Sequence, residues 1–190
     1  MNILVHGIRK KFSNPLKPLQ EELLSAGQDV AKIDYGYILI PITNKFAVTA
    51  LCHTLDKIPP STKIIVIGYS NGAWAAIQAA ELGYRIDHLI MISPALHVKH
   101  AIPETVGNVL VFYSKGDVAT LVGRYYRRII NMLPWRWRTP HQFGADGRYG
   151  LQLNDARVKN IQMPDYVRHT FYKHPLIVKT IAKTILEETK

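Results

Sequence analysis

The 190-residue sequence is 47% hydrophobic and carries 24 Lys and Arg against 14 Asp and Glu, a formal charge of +10. That length and apolar content predict one domain with a full core, spanning 1–190, rather than two. The basic balance favours encounters with nucleic acid, lipid head groups or acidic polysaccharide without selecting among them, and a solubilising surface accounts for it equally.

Cys52 is the one cysteine. It lies in an apolar helical pattern and reads as a buried small side chain, so a disulfide framework is excluded and reducing conditions suit the chain. Strand-like residues begin by Ile3, which argues against a signal peptide. No apolar run approaches the length of a membrane span. The expectation is a protein without an integral membrane segment, cytoplasmic or released without a cleaved signal.

Asn2 to Val5 reads as a buried strand, with His6-Gly7-Ile8 as the turn after it. A basic loop runs from Arg9 to Ser13. Asn14-Pro15 predicts an N-cap followed by proline at the first helical position. Leu16, Leu19 and Leu23 recur at helical spacing, and Gly27 supplies the stop. Asp29 to Asp34 is a second strand. Tyr35, Tyr37 and Ile38 form an apolar rim over a cleft or continue that strand. Phe46 to Ile58 is helical and ends at Pro59-Pro60.

Lys63 to Ile67 is an apolar strand that runs into Gly68-Tyr69-Ser70-Asn71-Gly72, and a helical pattern leaves it from Ala73 to Leu82. A buried strand turning sharply into a helix, with one serine at the corner, is the setting of a nucleophile elbow. Side chains at 68 and 72 would collide with such a turn. Ala73, Ala76, Ile77 and Ala80 share a face whose small residues permit close approach to a sheet. Further strands are read at Asp87 to Ile92, Asn108 to Tyr113 and Val158 to Met163. Helices are read at Ala119 to Met132, with Arg124, Arg127 and Arg128 on its polar side, and at Pro175 to Glu188. Leu133 to Asp155 is irregular and rich in Trp, Arg and Gly, and Asp165 to His174 is a loop.

Strands alternate with helices through most of the chain, and several strands are almost continuously apolar. Helices should therefore cover both faces of the sheet. The expected architecture is a three-layer α/β sandwich around about six mostly parallel strands. Functional loops then gather at the carboxyl ends of the strands.

A serine hydroxyl is a poor nucleophile at neutral pH unless a base lies within hydrogen-bond reach and a carboxylate orients that base. Asp117, just beyond an apolar strand, is the candidate acid. It also reads as a turn residue or the N-cap of the next helix, and Asp146 and Asp155 are weaker substitutes. His169, before the last helix, is the candidate base. His174 is its rival and is more easily read as the start of the helix; His141 is more remote. The tetrahedral intermediate of an acyl transfer also needs donors for its oxyanion. The candidates are the backbone amides of Asn71 and Ile8, with His6 in a structural role.

Together these stretches resemble the α/β-hydrolase superfamily, specifically small serine esterase or lipase-like members without a separate lid domain. His6-Gly7-Ile8 resembles the oxyanion turn of that family and Gly68 to Gly72 its elbow. Asp117 and His169 match the late acid and the terminal histidine in chain order. The resemblance implies a Ser70, His169, Asp117 triad acting through a seryl acyl-enzyme on a carboxylic ester, with no metal or organic cofactor. The chain departs from the family pattern: the early antiparallel strands are expected to be absent, since the sequence opens at the strand that carries the oxyanion turn. The family histidine is often flanked by Gly or Ser, whereas Arg168 and Thr170 flank this one.

Tyr35, Tyr37, Tyr69 and Trp135 are candidate substrate contacts for a small-molecule, lipid or glycan acyl ester. Core and rim packing explains Tyr35, Tyr37 and Trp135 as well. Trp135-Arg136-Trp137-Arg138 and the basic helix motivate a second reading. This is a non-catalytic or degenerate hydrolase-fold module that binds an anionic surface or polymer. Nucleic acid is a weak version of it, since no recognised nucleic-acid-binding signature is present.

Overall fold

The computed structural model describes residues 1–7, 14–33, 35, 45–97, 101–131 and 144–190, with side chains set aside at 124 and 126–131. Ile8, Tyr37, Ile38, Trp135 to Arg138 and His141 lie outside the described residues, as do the side chains of Arg124, Arg127 and Arg128.

Six strands form one sheet: β1 (Asn2–Val5), β2 (Val30–Ile33), β3 (Ile65–Tyr69), β4 (Ile86–Ile92), β5 (Val106–Tyr113) and β6 (Val158–Gln162). Their order is β2-β1-β3-β4-β5-β6, and every pairing is parallel. The helices are α1 (Lys17–Ser25), α2 (Lys45–Leu55), α3 (Asn71–Glu81), α4 (Val118–Asn131), a single turn α5 (Asp146–Tyr149) and α6 (Pro175–Glu188).

Strand alternation divides the core in two. Val5, Val66, Leu89, Met91 and Val111 point to the face covered by α2 and α3. Leu4, Ile67, Ile90, Ile92 and Phe112 point to the opposite face, where Leu19 and Leu23 of α1 meet Val178, Ile181 and Ile185 of α6. The central strands are buried on both faces, as expected of a parallel sheet, whereas the edge strands β2 and β6 are partly exposed.

The element boundaries differ from the sequence reading in instructive places. The strand before the serine starts at Ile65 and includes Gly68 and Tyr69, because parallel pairing with β4 continues to Tyr69 opposite Ile92. α1 begins at Lys17 rather than Pro15. The Asn14 side chain instead accepts a hydrogen bond from the Leu16 amide at 3.1 Å, closing a turn ahead of the helix, and Pro18 takes the early helical position. α3 is buried on almost every side, Trp74 included, and not only along its small-residue face. Cys52 is half-buried against the core rather than enclosed by it. The segment from 165 to 174 contains two short 3-10 turns, Asp165–Val167 and Phe171–Lys173. Among the described residues, no helix is long and apolar enough to cross a membrane.

One buried polar group bears on stability. His88, on β4, is 8% exposed, and its Nδ1 has no hydrogen-bond partner among the described residues. Desolvation, and secondarily the charge of Lys63, lower its pKa from the ordinary 6.5. The fold therefore holds this imidazole neutral, while the unfolded chain takes up the proton as pH falls through about 6.5. Its contribution is complete above that value and is lost progressively in acid. Urea denaturation at pH 7.5 and 5.5 should show wild type losing more stability on acidification than His88→Leu.

Candidate active site

The corner between β3 and α3 is built from strained backbone. Ser70 has φ 54° and ψ −117°, outside the regions an L-residue ordinarily occupies. Such a conformation costs on the order of 1–3 kcal/mol and persists only where neighbours over-determine it. They do so here. The Ser70 amide donates to the Ile92 carbonyl at 2.9 Å, and the Ser70 carbonyl accepts from Ala95 at 3.1 Å, so β4 and the loop after it grip the residue from both ends. On the other flank β1 comes very close. A Cβ on Gly72 would lie 2.1 Å from the Val5 carbonyl oxygen, and one on Gly7 would lie 2.8 Å from the Ser70 Cβ. Gly68 would meet the backbone of Ala73 at 2.6 Å. Thus residue 68 does collide with the turn, as expected, whereas residue 72 is kept small by the neighbouring strand.

Asp117 lies four residues beyond β5 and is fully buried. Its Oδ1 accepts from the Thr120 amide at 3.1 Å, which caps α4. Its Oδ2 lies 2.8 Å from His169 Nδ1. The residue is therefore a helix cap through one carboxylate oxygen and a hydrogen-bond partner of His169 through the other. The other imidazole nitrogen, Nε2, is 2.9 Å from Ser70 Oγ. A carboxylate only accepts, so Nδ1 carries the proton. In the neutral ring Nε2 is then an acceptor facing the serine hydroxyl. Three side chains from the ends of three strands thus form one continuous relay.

The alternatives are occupied elsewhere. His174 precedes α6 as its N-cap and sets its ring edge-on to Tyr166, with centroids 5.5 Å apart. Asp155 pairs with Arg157 at 2.7 Å. Asp146 lies 3.2 Å from His97 Nδ1.

The loops carrying Asp117 and His169 are joined to each other. Ser114 Oγ donates to the Pro164 carbonyl at 3.1 Å, and the Gly116 amide donates to Ser114 Oγ at 3.2 Å. A Cβ on Gly116 would sit 1.7 Å from the Asp165 carbonyl oxygen. Arg168, immediately before His169, has φ 33° and ψ −161°, another strained residue at this edge.

Asn71 opens α3, which places its amide at the positive end of the helix dipole beside the serine. The turn after β1 is held from β2 by Tyr35. Its ring stacks on His6 at 4.1 Å and 12°, and its hydroxyl donates to the His6 carbonyl. The His6 Nδ1–H donates to the Gly7 carbonyl at 2.8 Å, the structural role expected of that histidine. Tyr69 is buried, and its hydroxyl donates to the His169 carbonyl at 2.6 Å. Burial, with smaller contributions from Tyr172 and Asp117, raises its pKa, so the phenol stays a donor. Sequence reasoning missed these two tyrosine contacts because both run to backbone carbonyls far along the chain. The aromatic spacing alone suggested a cleft rim. Among the described residues no group of three or more His, Cys, Asp or Glu side chains is arranged to hold a metal ion.

No family profile and no curated protein matches the sequence. Solved structures do. A serine hydrolase without a lid from Xanthomonas campestris superposes with TM-score 0.64 at 14% identity, covering 98% of this chain and 80% of that one. The fold is that of the α/β hydrolases. Est1E from Butyrivibrio proteoclasticus gives 0.62 at 16% identity, covering 98% and 87%, and another structure of Est1E holds ferulic acid. A methylesterase from Arabidopsis gives 0.62 at 12% identity, covering 98% and 97%. The likeness is one of fold, a parallel sheet covered on both faces by helices. The sheet opens on the strand that leads to His6-Gly7 and is parallel throughout.

The junction between the acid and base loops can be tested through its closest approach. Gly116→Ala places a methyl against backbone that has no flexible side chain to yield. The variant should lose about 1–3 kcal/mol in chemical denaturation, and its crystal structure should show the Asp165 segment displaced.

Proposed function

We propose that the protein is a serine hydrolase that cleaves a carboxylic ester through a seryl acyl-enzyme. The observation that carries this reading is the unbroken hydrogen-bonded chain from Ser70 Oγ through His169 to Asp117. Support for ester chemistry comes from the neighbours of the same fold, which include a methylesterase and an α/β serine hydrolase.

In the proposed reaction Ser70 Oγ attacks the ester carbonyl as His169 Nε2 takes its proton. The tetrahedral oxyanion is stabilised by the Asn71 amide at the positive end of α3 and, on the sequence reading, by the Ile8 amide. Asp117 holds the ring in the Nδ1–H tautomer and supports the imidazolium. His169 then gives the proton to the departing alcohol. Water, deprotonated by His169, attacks the acyl-enzyme and releases the acid, restoring the serine. Small-molecule, lipid and glycan acyl esters are the candidate substrates. The formal charge of +10 would concentrate the protein near esters displayed on anionic surfaces at low ionic strength.

A fluorophosphonate probe tests the reading directly. It should attach to Ser70 in wild type and not at all to a Ser70→Ala variant. His169→Ala or Asp117→Asn should slow labelling by on the order of 10^4-fold. A folded wild-type protein that never labels would overturn the reading. If it bound a polyanion equally well with Ser70→Ala, the non-catalytic module would be favoured instead.

A further inference from the structure

Tyr69 occupies the variable position immediately before the serine, where it was a candidate substrate contact. Its surroundings point to other work. The side chain is 5% exposed and enters the core on the α1 and α6 face of the sheet. Its ring lies 5.3 Å from the His169 imidazole at a 34° tilt, and meets Phe171 and Tyr172 edge-on at 5.4 and 6.2 Å. Its hydroxyl donates to the His169 carbonyl at 2.6 Å, across 100 residues of sequence.

The position being held has reason to need holding. His169 follows Arg168, whose φ of 33° is unfavourable for an arginine, in a segment whose 3-10 turns are short. A backbone of that kind relaxes unless something outside it fixes the conformation. The Tyr69 hydroxyl contacts the peptide that carries the base. Through its own backbone it is also rigidly joined to Ser70, the next residue. One side chain therefore references the imidazole to the serine.

We infer that Tyr69 is a positioning residue, which fixes the distance between His169 Nε2 and Ser70 Oγ by binding the backbone of the base and packing on its ring. The inference rests on the hydrolase reading for its catalytic meaning, but its geometry is observable without turnover. It assigns the second position of the Gly-x-Ser-x-Gly stretch to the registry between two loops rather than to substrate.

The test compares wild type, Tyr69→Phe and Tyr172→Phe in the full chain. Tyr69→Phe keeps the ring and deletes the donor; Tyr172→Phe deletes another hydroxyl from the same aromatic group. Two readouts are used: the rate of fluorophosphonate labelling at Ser70, and the imidazole Nδ1–H resonance of His169, assigned by its loss in His169→Gln. Tyr69→Phe should label about tenfold more slowly, the effect of losing one buried hydrogen bond. Its Nδ1–H signal should broaden or vanish, while Tyr172→Phe matches wild type in both readouts.

The inference is overturned if Tyr69→Phe labels at the wild-type rate with an unchanged resonance, or if Tyr172→Phe is equally impaired. A Tyr69→Phe chain that does not fold also overturns it, because the hydroxyl would then serve stability rather than placement. If wild type itself never labels, the hydrolase reading fails separately. The resonance alone then decides: its loss in Tyr69→Phe upholds the positioning role, and its persistence ends it.

Discussion

The structure turns on how one strained residue is held. Ser70 departs from β3 with a positive φ, and nothing intrinsic to serine favours that conformation. The constraint is imposed by the two strands beside it. β4 and its following loop bind the Ser70 amide and carbonyl, while β1 presses so close that only glycine fits at 72. A parallel sheet is well suited to this. Its strands share one direction, so the ends of β1, β3 and β4 lie side by side, and the corner is braced from both flanks. The hydroxyl is carried on a backbone held from both flanks, which fixes its direction. The other non-glycine residues with positive φ are Ser93, at the end of β4, and Arg168, beside the base. Strain among the described residues is thus confined to the end of the sheet where the relay lies.

Asp117 is kept in place with few parts. Each carboxylate oxygen has one task, the cap of α4 or the imidazole. The helix that follows Asp117 therefore orients it, and rotation of the carboxylate would leave the Thr120 amide without its acceptor. The same economy joins the acid and base loops. Ser114 and Gly116 tie the turn after β5 to Pro164 and Asp165, a few residues before His169. The relay between side chains is therefore backed by a shorter relay between backbones.

Much of this was readable in the sequence because the relevant signals are local. Apolar runs marked the central strands, and the glycines around Ser70 announced a corner that permits no bulk. The order serine, aspartate, histidine gave the three partners, since each follows a strong strand or precedes a strong helix. What escaped were contacts whose two ends are distant in sequence and whose acceptor is backbone. Tyr69 to the His169 carbonyl and Tyr35 to the His6 carbonyl leave no pattern in residue type. The Asn14 turn misled for a different reason. A side chain two residues before an amide caps a turn as well as a helix, and Pro18 was a second proline able to start α1. The short helix α5 is a single turn within a stretch poor in periodicity, below the length at which a 3.6-residue repeat can be recognised.

The basic charge takes on a different meaning once its positions are known. Several cations bind main-chain carbonyls near the amino ends of strands, opposite the relay. Arg157, just before β6, donates to Ile102, Pro103 and Val106 while also pairing with Asp155. Lys63, just before β3, binds the carbonyls of Thr189 and Lys190 beyond α6, and Arg85, just before β4, binds that of Thr62. Loop carbonyls at this edge need donors, and long cationic side chains reach several at once. Part of the positive excess thus belongs to the architecture of the sheet's amino edge rather than to a ligand. The sheet's polarity separates the two kinds of demand: charge secures the edge where strands begin, and backbone strain gathers at the edge where they end.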